Sequence, residues 1–77
     1  MPSIFRSEVK NPFNSKVHTF FVEAANEADA AKDIRQVLRQ VFPVVIFEKH
    51  IGPTTKAKRS DIADAEQVRG LGWAWVN

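Results

Sequence analysis

The sequence has no cysteine, no tyrosine and only three glycines, and no apolar run in it nears the ~18 residues that suggest a membrane-spanning helix. Without cysteine there is no disulfide framework, no thiolate zinc site and no thiol nucleophile. Glycine stands only at 52, 70 and 72, so no glycine-rich loop is available to cradle a phosphate. Residues 1–6 lack the apolar stretch of a secretory signal. The expectation is a cytoplasmic protein with no membrane association. No internal repeat or low-complexity tract interrupts the chain.

What is present suits one small folded domain over residues 1–77. Of the 77 residues, 44% are hydrophobic and 26% charged, a balance that argues against disorder. Surface scaling puts about 62% of the extended chain's surface out of water on folding, enough for one modest core. Eleven Lys and Arg face nine Asp and Glu, a net charge of +2. The sequence pI is nevertheless 9.3. Little titrates between neutral pH and the lysines near pH ~10 when cysteine and tyrosine are missing, so the pI reports absent buffers as much as a basic surface.

The distribution of charge says more. Residues 1–22 carry Arg6, Lys10 and Lys16 against Glu8, and residues 51–60 carry Lys56, Lys58 and Arg59 with no acid. These two stretches hold the positive surplus, and the rest of the chain is net negative.

Residues 4–9 read as a strand, residues 11–15 (Asn-Pro-Phe-Asn-Ser) as a turn and residues 16–24 as a second strand, together a hairpin. In the second strand His18, Phe20, Val22 and Ala24 share one face, and Val17, Thr19, Phe21 and Glu23 the other. A helix follows, with Asn26 as N-cap, Asp29 in its first turn, and Ala28, Ala31, Ile34, Leu38 and Val41 as its core-facing stripe. Pro43 ends it. Residues 44–51, opening with Val-Val-Ile-Phe, read as a third strand, and residues 54–59 as a polar basic loop. Ser60 is placed to cap a short helix over residues 61–69 that Gly70 stops. Residues 71–76 form a last strand, with Trp73 and Trp75 on one face. The expected fold is α+β: a small antiparallel sheet in the order β-β-α-β, short helix, β, with the long helix packed on one face.

No constellation for chemistry stands out. His18, His50, Glu23 and Glu48 are the metal-capable side chains besides scattered aspartates, and no third ligand joins His50 and Glu48 at a recognised spacing. No serine lies in a nucleophile elbow, and a domain this small leaves little room for a substrate pocket. No catalytic, cofactor-binding or metal-ligating residue is assigned, and no cofactor is expected. For binding, Lys56, Lys58 and Arg59, extended by Arg6, Lys10 and Lys16, suit phosphates, with Phe13, Phe21 or Trp75 available to stack on bases. The bland alternative is a solvated loop and core aromatics. Trp73, Trp75 and Phe21 either form an aromatic platform on an uncovered sheet face, as interface anchors do, or pack beneath one of the helices.

The passage Val17-His-Thr-Phe-Phe-Val-Glu-Ala24, followed by Asn26-Glu-Ala-Asp-Ala-Ala31, resembles the hairpin-into-helix pattern of small phage and mobile-element proteins, several type I anti-CRISPR inhibitors among them. The resemblance covers residues 4–51 and is one of topology, so no family residue transfers. It implies a small non-enzymatic inhibitor in the bacterial host cell that occludes a host protein or ribonucleoprotein complex. The partner-binding residues are then expected among Lys56, Lys58, Arg59, Arg6 and Lys16 for charge, and Phe21, Trp73 and Trp75 for aromatic surface. A small nucleic-acid-binding domain using the basic loop and hairpin is the alternative. A monomer, or a weak homodimer through a sheet edge, is the expected state.

Overall fold

β-branched and aromatic residues on either side of a run of turn formers commit the first two segments to a hairpin. β1 (Ser3–Lys10) pairs antiparallel with β2 (Val17–Ala24), in register from Ser3 opposite Ala24 to Lys10 opposite Val17. The computed structural model describes residues 2–41, 48–68 and 70–76. At the hairpin turn, Asn11 Oδ1 accepts from the Phe13 amide and Asn14 Oδ1 from the Lys16 amide, both at 2.9 Å. The backbone closes the turn through Asn11 N to Lys16 O at 2.8 Å and Ser15 N to Asn11 O at 2.9 Å. Ser15 takes the left-handed conformation, φ 61°. Asn and Ser are the residue types that tolerate and support such a turn.

The helix α1 (Glu27–Val41) starts where its cap predicts. Asn26 Oδ1 accepts from the Asp29 amide at 2.9 Å, and Asn26 Nδ2 donates to Asp29 Oδ2 at 3.2 Å. Acids in the first turn and Arg39 in the last suit the helix dipole. Its buried side chains are Ala30, Ile34, Val37 and Leu38. The expected stripe is therefore rotated. Ile34 and Leu38 hold their places, but Ala28 is exposed, Ala31 half-buried, and Ala30 and Val37 face the sheet instead. Alanines at 28, 30 and 31 fit either stripe, so the larger Val37 fixes the rotation.

The rest of the sheet departs from expectation. Residues 42–47 lie outside the described residues, and with them the first half of the expected third strand. Glu48–His50 is a 3-10 turn, and Ile51 makes only a single bridge, to Val9. The strand beside β1 is instead β3 (Thr55–Ala57), inside the segment read as a loop. Two bonds steer the chain there: Gly52 N donates to Glu8 O at 2.7 Å, and Ser7 Oγ to Gly52 O at 2.8 Å. Among the described residues the expected helix over 61–69 is absent. Arg59–Ile62 forms a 3-10 turn, and β4 (Glu66–Val68) then pairs with β5 (Gly72–Val76). A nine-residue helix is marginal alone. Here a hairpin wins, turned at Gly70 with φ 76°, where glycine carries no steric cost.

The result is an α+β fold: a five-stranded antiparallel sheet in the order β3-β1-β2-β5-β4, with α1 across one face. The radius of gyration is 11.4 Å, that of a compact chain. Phe5, Val9, Phe20, Val22, Ala24 and Ala74 meet the helix's buried residues in one core. Full burial of one such side chain contributes roughly 1.5–3 kcal/mol relative to exposure. At Gly72 an added Cβ would stand 2.4 Å from the Phe21 carbonyl and 3.2 Å from Val37 Cγ2, so β5 lies too close to β2 and α1 for any side chain.

Candidate interaction surface

β3 and β4 are neighbours in sequence but occupy opposite edges of the sheet. The eight residues between them must therefore cross the three strands that lie between the edges. Arg59, in the 3-10 turn of this crossover, pairs with Glu23. Glu23 lies on the face of β2 opposite the one that meets α1, since Phe20, Val22 and Ala24 form the helix-side core. The crossover thus runs over the second face, with Ile62 and Ala65 half-buried. Beneath it, Ile4 and Phe21 are buried at 3% and 0% exposure.

This placement decides the two readings of the tryptophans. Trp73 sits opposite Phe21 and Trp75 opposite Thr19, all on the second face. Phe21 is sealed and offers no surface, while Trp73 and Trp75 are half-buried. Phe21 and Trp75 form an edge-to-face pair. The aromatic set is chiefly a second, smaller core closed by the crossover.

The crossover also separates charge. Residues 49–58 hold Lys49, Lys56 and Lys58 with no acid, and residues 60–68 hold Asp61, Asp64 and Glu66 with no base. The first stretch runs along the outer side of β1, from the Val9–Ile51 bridge to β3. The second ends in β4, about 19 Å away across four strand spacings. Asp61 stays beside Lys58, whose amide donates to Asp61 Oδ2 at 2.9 Å, so the contrast across the sheet is between Lys56 in β3, with Lys58 just past it, and Glu66 in β4, with Asp64 on the way to it. Lys56 and Lys58 are exposed and make no ion pair among the described residues. A short edge strand bearing lysine also resists strand addition by another chain.

The remaining expected contacts are scattered. Arg59 is engaged by Glu23, and Arg6 lies 3.5 Å from Glu8. Lys16 stands at the hairpin tip, away from β3, together with Lys10 and Phe13. The structure thus groups Lys56 with Lys58 and sets Lys16 apart. Phe13 is 74% exposed, the most exposed large apolar side chain described. Its position inside a run of turn formers was the available signal, because an aromatic at a turn apex has no core within reach.

Arg35 and Glu48 tie α1 to the start of the basic edge. Arg35 Nε and Nη2 donate to the two Glu48 oxygens at 2.7 and 2.5 Å, and Nη1 to the Ala31 carbonyl at 2.7 Å. The hydrogen bond to Arg35 holds the Glu48 carboxyl below its ordinary pKa, and the same bond raises Arg35. Beside α1 an open groove of about 330 Å³ is lined by Ala24, Ala25, Asp29, Lys32, Asp33 and Gln36, with no nucleophile or histidine. Among the described residues no cluster of three or more His, Asp or Glu has metal-binding geometry. No described helix is long and apolar enough to cross a membrane.

No protein-family model, curated protein or solved structure matches the chain.

Proposed function

We propose that this chain is a non-catalytic binding protein that docks its β3 edge on an anionic patch of a larger host protein or ribonucleoprotein complex and occludes it. The observation that carries this reading is the separation of charge across the sheet, with Lys56 and Lys58 exposed on one edge and Asp64 and Glu66 towards the other. Such polarity orients an approaching partner and speeds encounter more than it adds affinity. The inhibitory, phage-type role in the bacterial cytoplasm comes from the hairpin–helix resemblance of residues 4–51.

The test is charge reversal. Wild-type protein immobilised in a bacterial lysate should retain one stoichiometric complex at low salt, and K56E/K58E should lose it. Charge reversal at Lys32 and Arg39 on the exposed side of α1 should leave retention unchanged. Retention of the same complex by K56E/K58E, or no stoichiometric complex with the wild type, overturns the reading.

A further inference from the structure

The β1–β2 hairpin tip presents one aromatic ring in a fixed, cationic setting. Phe13 is 74% exposed. Its turn is held by two asparagine–amide bonds and two backbone bonds, so the ring is displayed on an ordered frame. Lys10 and Lys16 flank it, both exposed and without an ion pair among the described residues. No acid lies between residues 9 and 22.

We infer that this tip is a binding site for single-stranded nucleic acid, with Phe13 stacking on a base and Lys10 and Lys16 meeting the adjacent phosphates. Two features favour this ligand over a protein pocket, and a third bears on its specificity. The apolar surface is one aromatic ring beside the smaller exposed Pro12 and Val17, within a rim of Lys, Asn and Ser, whereas a protein interface needs an apolar centre within roughly 800 Å² per partner. A base needs only one ring face, and every base has one to offer. Asn11 Oδ1 and Asn14 Oδ1 are already committed to the turn, so neither amide can pair donor and acceptor together with a base edge, and binding is tolerant of sequence. The site shares no residue with the β3 edge, and the two proposals stand or fall separately.

The test uses the full chain and fluorescein-labelled twelve-nucleotide oligo(dT) and oligo(U), read by anisotropy. Wild type should bind both saturably at about 25 mM salt and release them as salt rises. F13A should weaken binding roughly 5- to 150-fold, the range for loss of one stacked base. F13W should restore it, which a merely structural role at an exposed turn would not require. K10Q/K16Q should lower the slope of log affinity against log salt by about 1.4, at ~0.7 per phosphate. K56Q/K58Q should change affinity less than threefold. Undetectable oligonucleotide binding overturns the proposal, as does F13A binding like wild type. Phe13-dependent sedimentation with phosphatidylserine vesicles without oligonucleotide binding would overturn it in favour of a membrane surface.

Discussion

Phe21 and Trp75 meet edge to face on adjacent strands, their ring centroids 4.9 Å apart and their planes at 69°. They are a diagonal cross-strand pair, for Phe21 stands directly opposite Trp73. The pair lies on the sheet face away from α1, under the crossover that leads from β3 to β4. Trp75 Nε1 is buried and has no hydrogen-bond partner among the described residues. Phe21 is fully buried.

A shielded indole follows from that geometry. In Trp73→Phe the remaining indole is Trp75, and acrylamide should quench it weakly in the folded state and strongly in urea. Strong quenching in the folded protein would show that the crossover does not cover this face. Phe21→Ala should lower stability by about 3–5 kcal/mol in urea titrations, as deletion of a large buried aromatic does.

Gly72 tests the closeness of β5 to β2. A methyl group there would stand 2.4 Å from a backbone oxygen, a contact that only a shift of the strand relieves. Gly72→Ala should lose about 1–3 kcal/mol, the usual cost of overpacking. Gly70→Ala should also destabilise, though less, because open space surrounds that position and only its positive φ is unfavourable. A Gly72→Ala protein as stable as wild type would contradict the packing.

The crossover is held at one point by Arg59 and Glu23, whose side chains are 67% and 36% exposed. Exposed pairs of this kind are worth about 1 kcal/mol or less. A double-mutant cycle through R59Q and E23Q should give a coupling energy in that range, shrinking with added salt. Their local effect should be larger than their global one: hydrogen exchange over residues 58–65 should accelerate in either single variant while the midpoint of unfolding barely moves.

The Arg35–Glu48 fork gives stability a pH dependence with a definite sign. Glu48 has a folded pKa below its unfolded value, so its contribution is complete above the ordinary Glu value of about 4.3 and is lost as pH falls through the folded pKa. Glu48→Gln should therefore lower the melting temperature slightly at neutral pH, where the fork is intact, and converge on wild type towards about pH 2, which flattens the acid side of the profile. Arg35→Lys should do part of the same, because an ammonium cannot reproduce the two-pronged bond. An unchanged acid limb in Glu48→Gln would show that the fork does not form in solution.

Ser7 reports on how the basic edge is attached. It is 1% exposed, and its hydroxyl donates to the Gly52 carbonyl at 2.8 Å. Ser7→Ala leaves that carbonyl without its bond, and the expected loss is about 1 kcal/mol. Faster amide exchange along β3 than along β5 would accompany it. Equal exchange in the two strands would place the edge's attachment elsewhere.

Local signals sufficed wherever a segment is its own best instruction. The hairpin was legible because residues 4–9 and 16–24 are rich in β-branched and aromatic residues and residues 11–15 are turn formers. The helix was legible because Asn26, Asp29 and the spacing of Ile34 and Leu38 act within a few residues of one another. Both lie within a residue or two of the expected bounds, and the α+β class with one helix on an antiparallel sheet follows from them. The absence of cysteine and the clustering of Lys56, Lys58 and Arg59 are likewise properties of the string alone.

Tertiary structure decided what depends on partners distant in sequence. A polar strand such as Thr55–Ala57 carries no alternation to announce it, and becomes a strand because β1 offers an open edge and Ser7 and Gly52 deliver the chain to it. Residues 61–69 have helical caps, but pairing of Glu66–Val68 with β5 outweighs a helix too short to sustain itself. The rotation of α1, set by Val37 rather than by any alanine, was equally undetermined. Lys56 and Glu66 came to opposite edges of one sheet only because the crossover spans it. Charge order is written in the sequence, whereas charge separation is a property of topology.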